Sequence, residues 1–266
     1  MFKKKKLLEF INNTKRKFKK KNLELHPPKI LKNDYHSIKK SLDNNYISTF
    51  GPYVKKFERE IKLITKSKYV VAVNSGTSAL HIALLSIGVK KGDEILMPSL
   101  NFVASANCAI YCGCVPHFID SEETTLGADP IKLSNYLKKN SFIKNGYCYN
   151  KNTKKKIAGL IAVHIFGHPC KIQDLKLVCS KYKISIIEDA AEGLGSLYNN
   201  QHVGTFGKIG ILSFNGNKII STGSGGAILT NSKNIEKYSR SLVNVGKIDH
   251  KWEYKYNKIG FNYRMP

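Results

Sequence analysis

Between Tyr69 and Val243, short apolar runs alternate with longer stretches whose apolar residues recur at helical spacing. That alternation leaves the chain few architectures to choose from. The runs Tyr69–Asn74, Glu94–Met97, Val115–Ile119, Ile157–Val163, Ile184–Glu188, Ile211–Phe214 and Ala227–Thr230 predict strands. Between them Ala79–Ile87, Asn101–Tyr111, Pro130–Lys139, Ile172–Tyr182 and Asn234–Val243 predict helices, and Asn33–Leu42 and Pro52–Thr65 precede them. In Pro52–Thr65, Val54, Phe57, Ile61 and Ile64 fall on one face. Strands that are apolar on both faces must be covered on both faces, which predicts an α/β fold with a mostly parallel sheet between helices. The polar stretch from Lys144 to Lys156 interrupts the pattern and predicts a surface hairpin that turns near Asn150–Thr153.

Size and composition narrow the function classes. A chain of 266 residues buries a full core as one large domain or two small ones, and 42% hydrophobic with 24% charged residues excludes a disordered chain. No apolar run is long enough to span a bilayer, and Met1–Leu25 lacks the apolar core of a secretory signal. The cytoplasm is therefore the expected compartment, with no membrane partner. The net charge of +25 raises nucleic acid as a partner. Ten Lys/Arg against two Glu put +8 of it on residues 1–25, a basic arm, while the rest is scattered lysine. Arginine, the better reader of bases and phosphate forks, is sparse, so no nucleic-acid partner is expected. A basic nucleic-acid-binding protein remains the rival from another class. The six cysteines form no C-x-x-C pair and no zinc-like spacing, which predicts reduced, buried thiols with neither metal nor disulfide.

Chemistry in such a sheet gathers at the carboxyl ends of strands, and four segments fall there. Asn74-Ser75-Gly76-Thr77-Ser78-Ala79 joins a strand to a helix. Its glycine allows a tight turn, and the first-turn N–H groups attract an anion, but a plain helix cap explains the same residues. Glu188-Asp189-Ala190-Ala191-Glu192 follows an apolar strand. A carboxylate there either holds a ring nitrogen protonated or starts a helix. Ser213-Phe214-Asn215-Gly216-Asn217-Lys218 leads into the Gly-rich Ser221–Gly226, and a lysine so placed is a candidate Schiff-base former or an ordinary surface charge. Ser99-Leu100-Asn101-Phe102 offers an aromatic ring to a flat ligand or to the core.

These four segments together, with the closing Gly260-Phe261-Asn262-Tyr263-Arg264-Met265-Pro266, closely resemble the DegT/StrS family of nucleotide-sugar aminotransferases, from about Leu25 to the last residue. The hairpin Asn145–Lys151 and the stretch Ser213–Ile220 are similar to the LegC-type subgroup. The resemblance implies a pyridoxal 5′-phosphate (PLP)-dependent transferase of fold type I, aspartate aminotransferase-like, with a large PLP-binding domain over residues 26–266 behind the basic arm. It implies that Lys218 carries PLP as a Schiff base and then shuttles a proton, and that Asp189 pairs with the pyridinium nitrogen. Glu192 sits where relatives place Gln or His near the cofactor's 3-hydroxyl. Gly76, Thr77, Ser78 and Ser213 are implied at the phosphate, and Phe102 against the ring. Asn262 is implied to reach the phosphate of a neighbouring subunit, which makes the active unit a homodimer, with Arg264 near the same interface.

The implied reaction moves an amino group, from L-glutamate, onto a nucleotide-linked 4-keto-6-deoxy sugar, on a route to legionaminic acid or a related surface polysaccharide. Relatives carry Thr-Thr-Gly-Glu/Gly-Gly-Gly where this chain has Ser221-Thr222-Gly223-Ser224-Gly225-Gly226. They also continue into a small C-terminal domain, whereas this sequence stops at Tyr263–Pro266 without a capped helix and reads as cut short. A truncated, inactive homologue is thus one rival. A PLP-dependent sugar dehydratase, which has His in place of the lysine, is another, and Lys218 speaks against it.

Overall fold

The computed structural model describes residues 4–19, 26–49, 51–248 and 252–266. Residues 1–3 and 20–25 of the expected basic arm lie outside the described residues. Three helices come first: α1 (Lys4–Lys17), α2 (Lys32–Asp43) and α3 (Pro52–Thr65). Then follow β1 (Tyr69–Val73), α4 (Gly76–Ser86), β2 (Glu94–Pro98), α5 (Ala104–Tyr111), β3 (Val115–Ile119), α6 (Pro130–Asn140), β4 (Ser141–Lys144) and β5 (Tyr147–Asn150). The chain continues through β6 (Ile157–Val163), α7 (Ile172–Lys181), β7 (Ser185–Asp189), β8 (Leu197–Tyr198), β9 (Gln201–His202), β10 (Ile209–Ser213), β11 (Gly226–Thr230) and α8 (Lys233–Val243).

Seven strands form one sheet in the order β1-β11-β10-β7-β6-β2-β3. β11 pairs antiparallel with both β1 and β10, and the remaining pairs are parallel. The alternation of side chains along each strand divides the core into faces. Ile95, Met97, Ile161, Ile187 and Ile211 pack with Leu80 and Leu84 of α4, Cys108 of α5 and Leu242 of α8. Leu96, Leu160, Ala162 and Ile186 face the other way, onto Leu133 and Leu137 of α6 and Leu175 of α7. Beside them Val70, Leu212 and Leu229 meet Ile61 of α3. Eight of the eleven residues of α4 are buried, which explains why its sequence is apolar all round rather than on a stripe.

Several boundaries differ from the sequence reading. α4 begins at Gly76, three residues before the predicted Ala79, because Ser75 caps it by accepting the Ser78 N–H at 3.0 Å. α5 begins at Ala104 rather than Asn101, since the Asn101 side-chain amide donates to the Pro98 carbonyl and closes a local turn instead. The hairpin β4–β5 turns at Asn145-Gly146, both at positive φ (51° and 78°), and the stretch near Asn150–Thr153 is a second turn that leads into β6. A small hairpin, β8–β9, turns at Asn199-Asn200, again both at positive φ, and was not predicted. The six cysteines are free thiols, and burial pushes Cys108 and Cys112 up to about 12, which keeps them protonated and unreactive.

Candidate active site

Every strand of the sheet except β11 points its carboxyl end to one edge, and a cavity of about 560 Å³ opens there. It is lined by Ser75, Gly76 and Thr77 from the start of α4, Asp189 from the end of β7 and Ser213 from the end of β10. Glu192, Lys218 and Phe102 complete the predicted set around it.

The two acids at the end of β7 face opposite ways, as successive strand residues must. Glu188 points into the protein, fully buried, and accepts N–H bonds from Gly204 (2.7 Å), Phe206 (2.6 Å) and Gly207 (2.6 Å). His164 Nε2 lies 3.0 Å from the same carboxylate, and the Cys170 N–H donates to His164 Nδ1 at 3.2 Å. The ring therefore carries its proton on Nε2 and donates to Glu188. Asp189 points into the cavity. It accepts from the Ala191 N–H at 3.1 Å and from the Ser105 hydroxyl at 3.4 Å. Burial raises its carboxyl above the ordinary Asp range, although the Ala191 N–H, the Lys218 charge and the Ser105 hydroxyl pull the other way.

Lys218 sits in a tight turn after β10, its N–H donating to the Asn215 carbonyl at 3.0 Å. Its Nζ donates to Glu192 Oε1 at 3.0 Å, with the two side chains only 16% and 26% exposed. It is not the solvated surface lysine that composition alone would suggest. Two glycines hold this geometry. A Cβ on Gly76 would come within 2.8 Å of the Ser213 Cβ, so glycine lets the start of α4 lie against the end of β10. Gly167, at φ 79°, crosses the Glu192 backbone so closely that a Cβ would stand 2.4 Å from its carbonyl oxygen.

The predicted residues divide accordingly. Gly76, Thr77, Phe102, Asp189, Glu192, Ser213 and Lys218 come together at the cavity. Phe102 is 70% exposed on its rim, so it is a ring open to a ligand and not a core residue. Ser78 does not line the cavity: it is buried under Ser75, its hydroxyl 2.9 Å from the Ser75 hydroxyl, and serves the cap. Asn262 lies outside its own chain's cavity, exposed, and accepts from Arg264 Nη2 at 2.7 Å. Arg264 Nη1 also donates to Asn244 at 2.8 Å. The sequence reading missed His164, Ser105 and Phe166. His164 follows β6 just as Asp189 ends β7, so asking which polar residue follows each parallel strand finds it. Phe166 stands at the cavity with φ 50°, a strained backbone that only coordinates reveal.

These residues fit a phosphorylated pyridine aldehyde. The N–H groups of Gly76 and Thr77 open a helix and have no acceptor within it, which suits a phosphate. Asp189 keeps acceptor capacity for a ring N–H, and a cation there would relieve the penalty that burial places on its charge. Lys218 supplies an amine, and Leu80, Val163, Ala191 and Ile211 supply apolar walls.

The sequence model of the DegT/DnrJ/EryC1/StrS aminotransferase family matches residues 28–266. EpsN of Bacillus subtilis, designated a pyridoxal phosphate-dependent aminotransferase, is 37% identical over 245 residues, which are 92% of this chain and 60% of that protein. A GDP-perosamine synthase of Escherichia coli O157:H7 is 34% identical, over 92% of this chain and 63% of its own length. An aminotransferase from Psychrobacter cryohalolentis has a similar solved structure, with a TM-score of 0.78 at 27% identity over 90% of this chain and 59% of that one. The chain thus spans about three-fifths of the length of the curated relatives it matches.

Proposed function

Because this chain belongs to the DegT/DnrJ/EryC1/StrS aminotransferase family, we propose that it is the PLP-binding part of an aminotransferase that moves an amino group onto a nucleotide-linked keto sugar. One observation carries the reading: an amine, Lys218, and a buried carboxyl group, Asp189, line the same cavity at the carboxyl edge of the sheet. PLP, when bound, supplies an electron sink that lets an amino-acid Cα–H bond break.

The rest is done by side chains of the chain. Asp189 holds a proton on the ring nitrogen and so keeps the sink electron-poor. The first turn of α4, with Thr77 and Ser213, would hold the phosphate. Phe102, exposed at the rim, would offer its ring to the cofactor. Lys218 Nζ, held by Glu192 Oε1 at 3.0 Å, is placed to take and return the proton. His164, locked on Glu188, stiffens the wall behind Asp189. The amino donor in this reading is L-glutamate.

The acceptor is a 4-keto-6-deoxy sugar on a nucleotide, for surface polysaccharide. A GDP-linked sugar in the names of related synthases supports the nucleotide. The narrower assignment to legionaminic acid rests on the likeness of Asn145–Lys151 and Ser213–Ile220 to LegC-type enzymes. Residues 26–266 form the PLP-binding domain behind the basic arm, the active unit is a homodimer, and the compartment is the cytoplasm. The place of Asn262, exposed and outside its own cavity, supports a role in a neighbouring subunit's site.

The half-reaction tests this without the sugar. PLP-loaded chain given L-glutamate should release one equivalent of 2-oxoglutarate per site, and Lys218→Ala should release almost none. Absence of 2-oxoglutarate from a fully loaded chain would overturn the proposal.

A further inference from the structure

Helix α1 (Lys4–Lys17) lies ahead of residues 28–266 that the family model matches, and none of its residues is buried. It is nonetheless strongly two-sided. At about 100° per residue, Leu7, Phe10, Ile11, Thr14 and Phe18 fall within an arc of roughly 100°, with Leu8 outside it beyond Lys4 and Lys15. Helical bonding reaches Phe18, whose N–H donates to the Thr14 carbonyl at 3.0 Å. Leu7, Leu8, Phe10 and Phe18 are 50%, 50%, 68% and 60% exposed.

Charge surrounds this arc. Residues 4–19 hold seven Lys/Arg and one Glu, a net +6, against 44 Lys/Arg in the whole 266-residue chain. The local density is therefore well above the chain's lysine bias. A short helix none of whose residues is buried is marginal alone. Its lysines and its apolar residues both call for an external partner.

We propose that α1 is an interfacial helix that lays its apolar arc into an anionic lipid surface, with its lysines on the head groups. A nucleic acid would use the charge and leave Leu7, Ile11 and Phe18 in water. An apolar protein groove would use the arc and leave net +6 uncompensated. A negatively charged bilayer surface satisfies both. The expectation of no membrane partner rested on the lack of a spanning segment and of a secretory signal, and a peripheral contact requires neither. Among the described residues no helix is long and apolar enough to cross a membrane, so the contact is peripheral.

Co-sedimentation of the full chain with vesicles tests this. Binding is expected to vesicles of equal parts phosphatidylcholine and phosphatidylglycerol, not to phosphatidylcholine alone, and should weaken as salt rises. Replacing Leu7, Ile11 and Phe18 by serine together should weaken binding about tenfold or more. Lys5→Glu with Lys6→Glu should do likewise. Both variants should keep the melting temperature, since no residue of α1 is buried. Failure to bind anionic vesicles, binding that the serine variant leaves unchanged, or salt-sensitive retention on DNA in place of vesicles would overturn the proposal.

Discussion

Asp189 concentrates the conflict between stability and use. It lies at the end of β7 with the Ala191 N–H and the Ser105 hydroxyl as its donors among the described residues, and burial raises its carboxyl above the ordinary range. A carboxyl whose folded-state value exceeds the unfolded one is less favourably ionised in the fold, so above that range its charge works against stability. Asp189→Asn keeps the shape and can still bond to Ala191 and Ser105. We expect this variant to stabilise the PLP-free chain by about 1 kcal/mol at neutral pH and to gain nothing at pH 4. We also expect it to bind PLP at least tenfold more weakly. Denaturant unfolding and a fluorescence titration with PLP check the two halves. An unchanged affinity would remove Asp189 from the ring nitrogen. At this scale the sequence was legible where a residue is tied to a strand end: Asp189, Lys218, Gly76 and Ser213 all lie where the alternation of elements put them. It was less so where the side chain's direction decides. Ser78 stands beside Thr77 in sequence, yet the helix turns it under Ser75 and out of the cavity.

At the scale of elements, β2 joins two tasks. Its last residue, Pro98, leads into the cavity loop, while its first, Glu94, anchors the hairpin that interrupts the α/β pattern. Glu94 is 2% exposed and accepts from Asn150 Nδ2 at 3.0 Å, from the Thr153 hydroxyl, and from His117 Nδ1 at 2.8 Å. Burial alone raises its carboxyl, but the bonds from Thr153, Asn150 and His117 outweigh that and hold it below the usual range. A depressed carboxyl stabilises the fold above its unfolded value and loses that contribution as pH falls through the folded one.

Glu94→Gln should therefore cost about 2 kcal/mol at neutral pH and progressively less in acid, as urea melts at a series of pH values would read. PLP affinity should hold, because Glu94 is about 13 Å down the strand from the cavity loop. Equal loss at all pH values would contradict this. The strands and helices of the sheet were legible because apolar periodicity reports burial directly. The hairpins were not fully so, because their turns depend on Asn145-Gly146 and Asn199-Asn200 taking positive φ, a local preference that the hydrophobic pattern does not register.

At the scale of the whole molecule, one sheet edge collects residues that lie far apart in the chain. Thr77, Phe102, Asp189 and Lys218 share one cavity because six of the seven strands run the same way. Their convergence was inferable from the α/β alternation together with the rule that ligands gather at carboxyl ends. The pairing of Lys218 with Glu192 was not, because it depends on how two loops from neighbouring strands fold over each other, with Gly167 pressed on the Glu192 backbone. The amphipathic arc of α1 was present in the sequence but read only as charge. Its exposure in the fold gives the apolar residues their meaning.

The central claim is that this cavity holds PLP on Lys218. The most direct measurement is to incubate the full chain with PLP, reduce with borohydride, and map the labelled peptide by mass spectrometry. One pyridoxyl phosphate per chain on Lys218, and none in Lys218→Ala, is the predicted result. A label spread over other lysines, or one that Lys218→Ala retains in full, would contradict it.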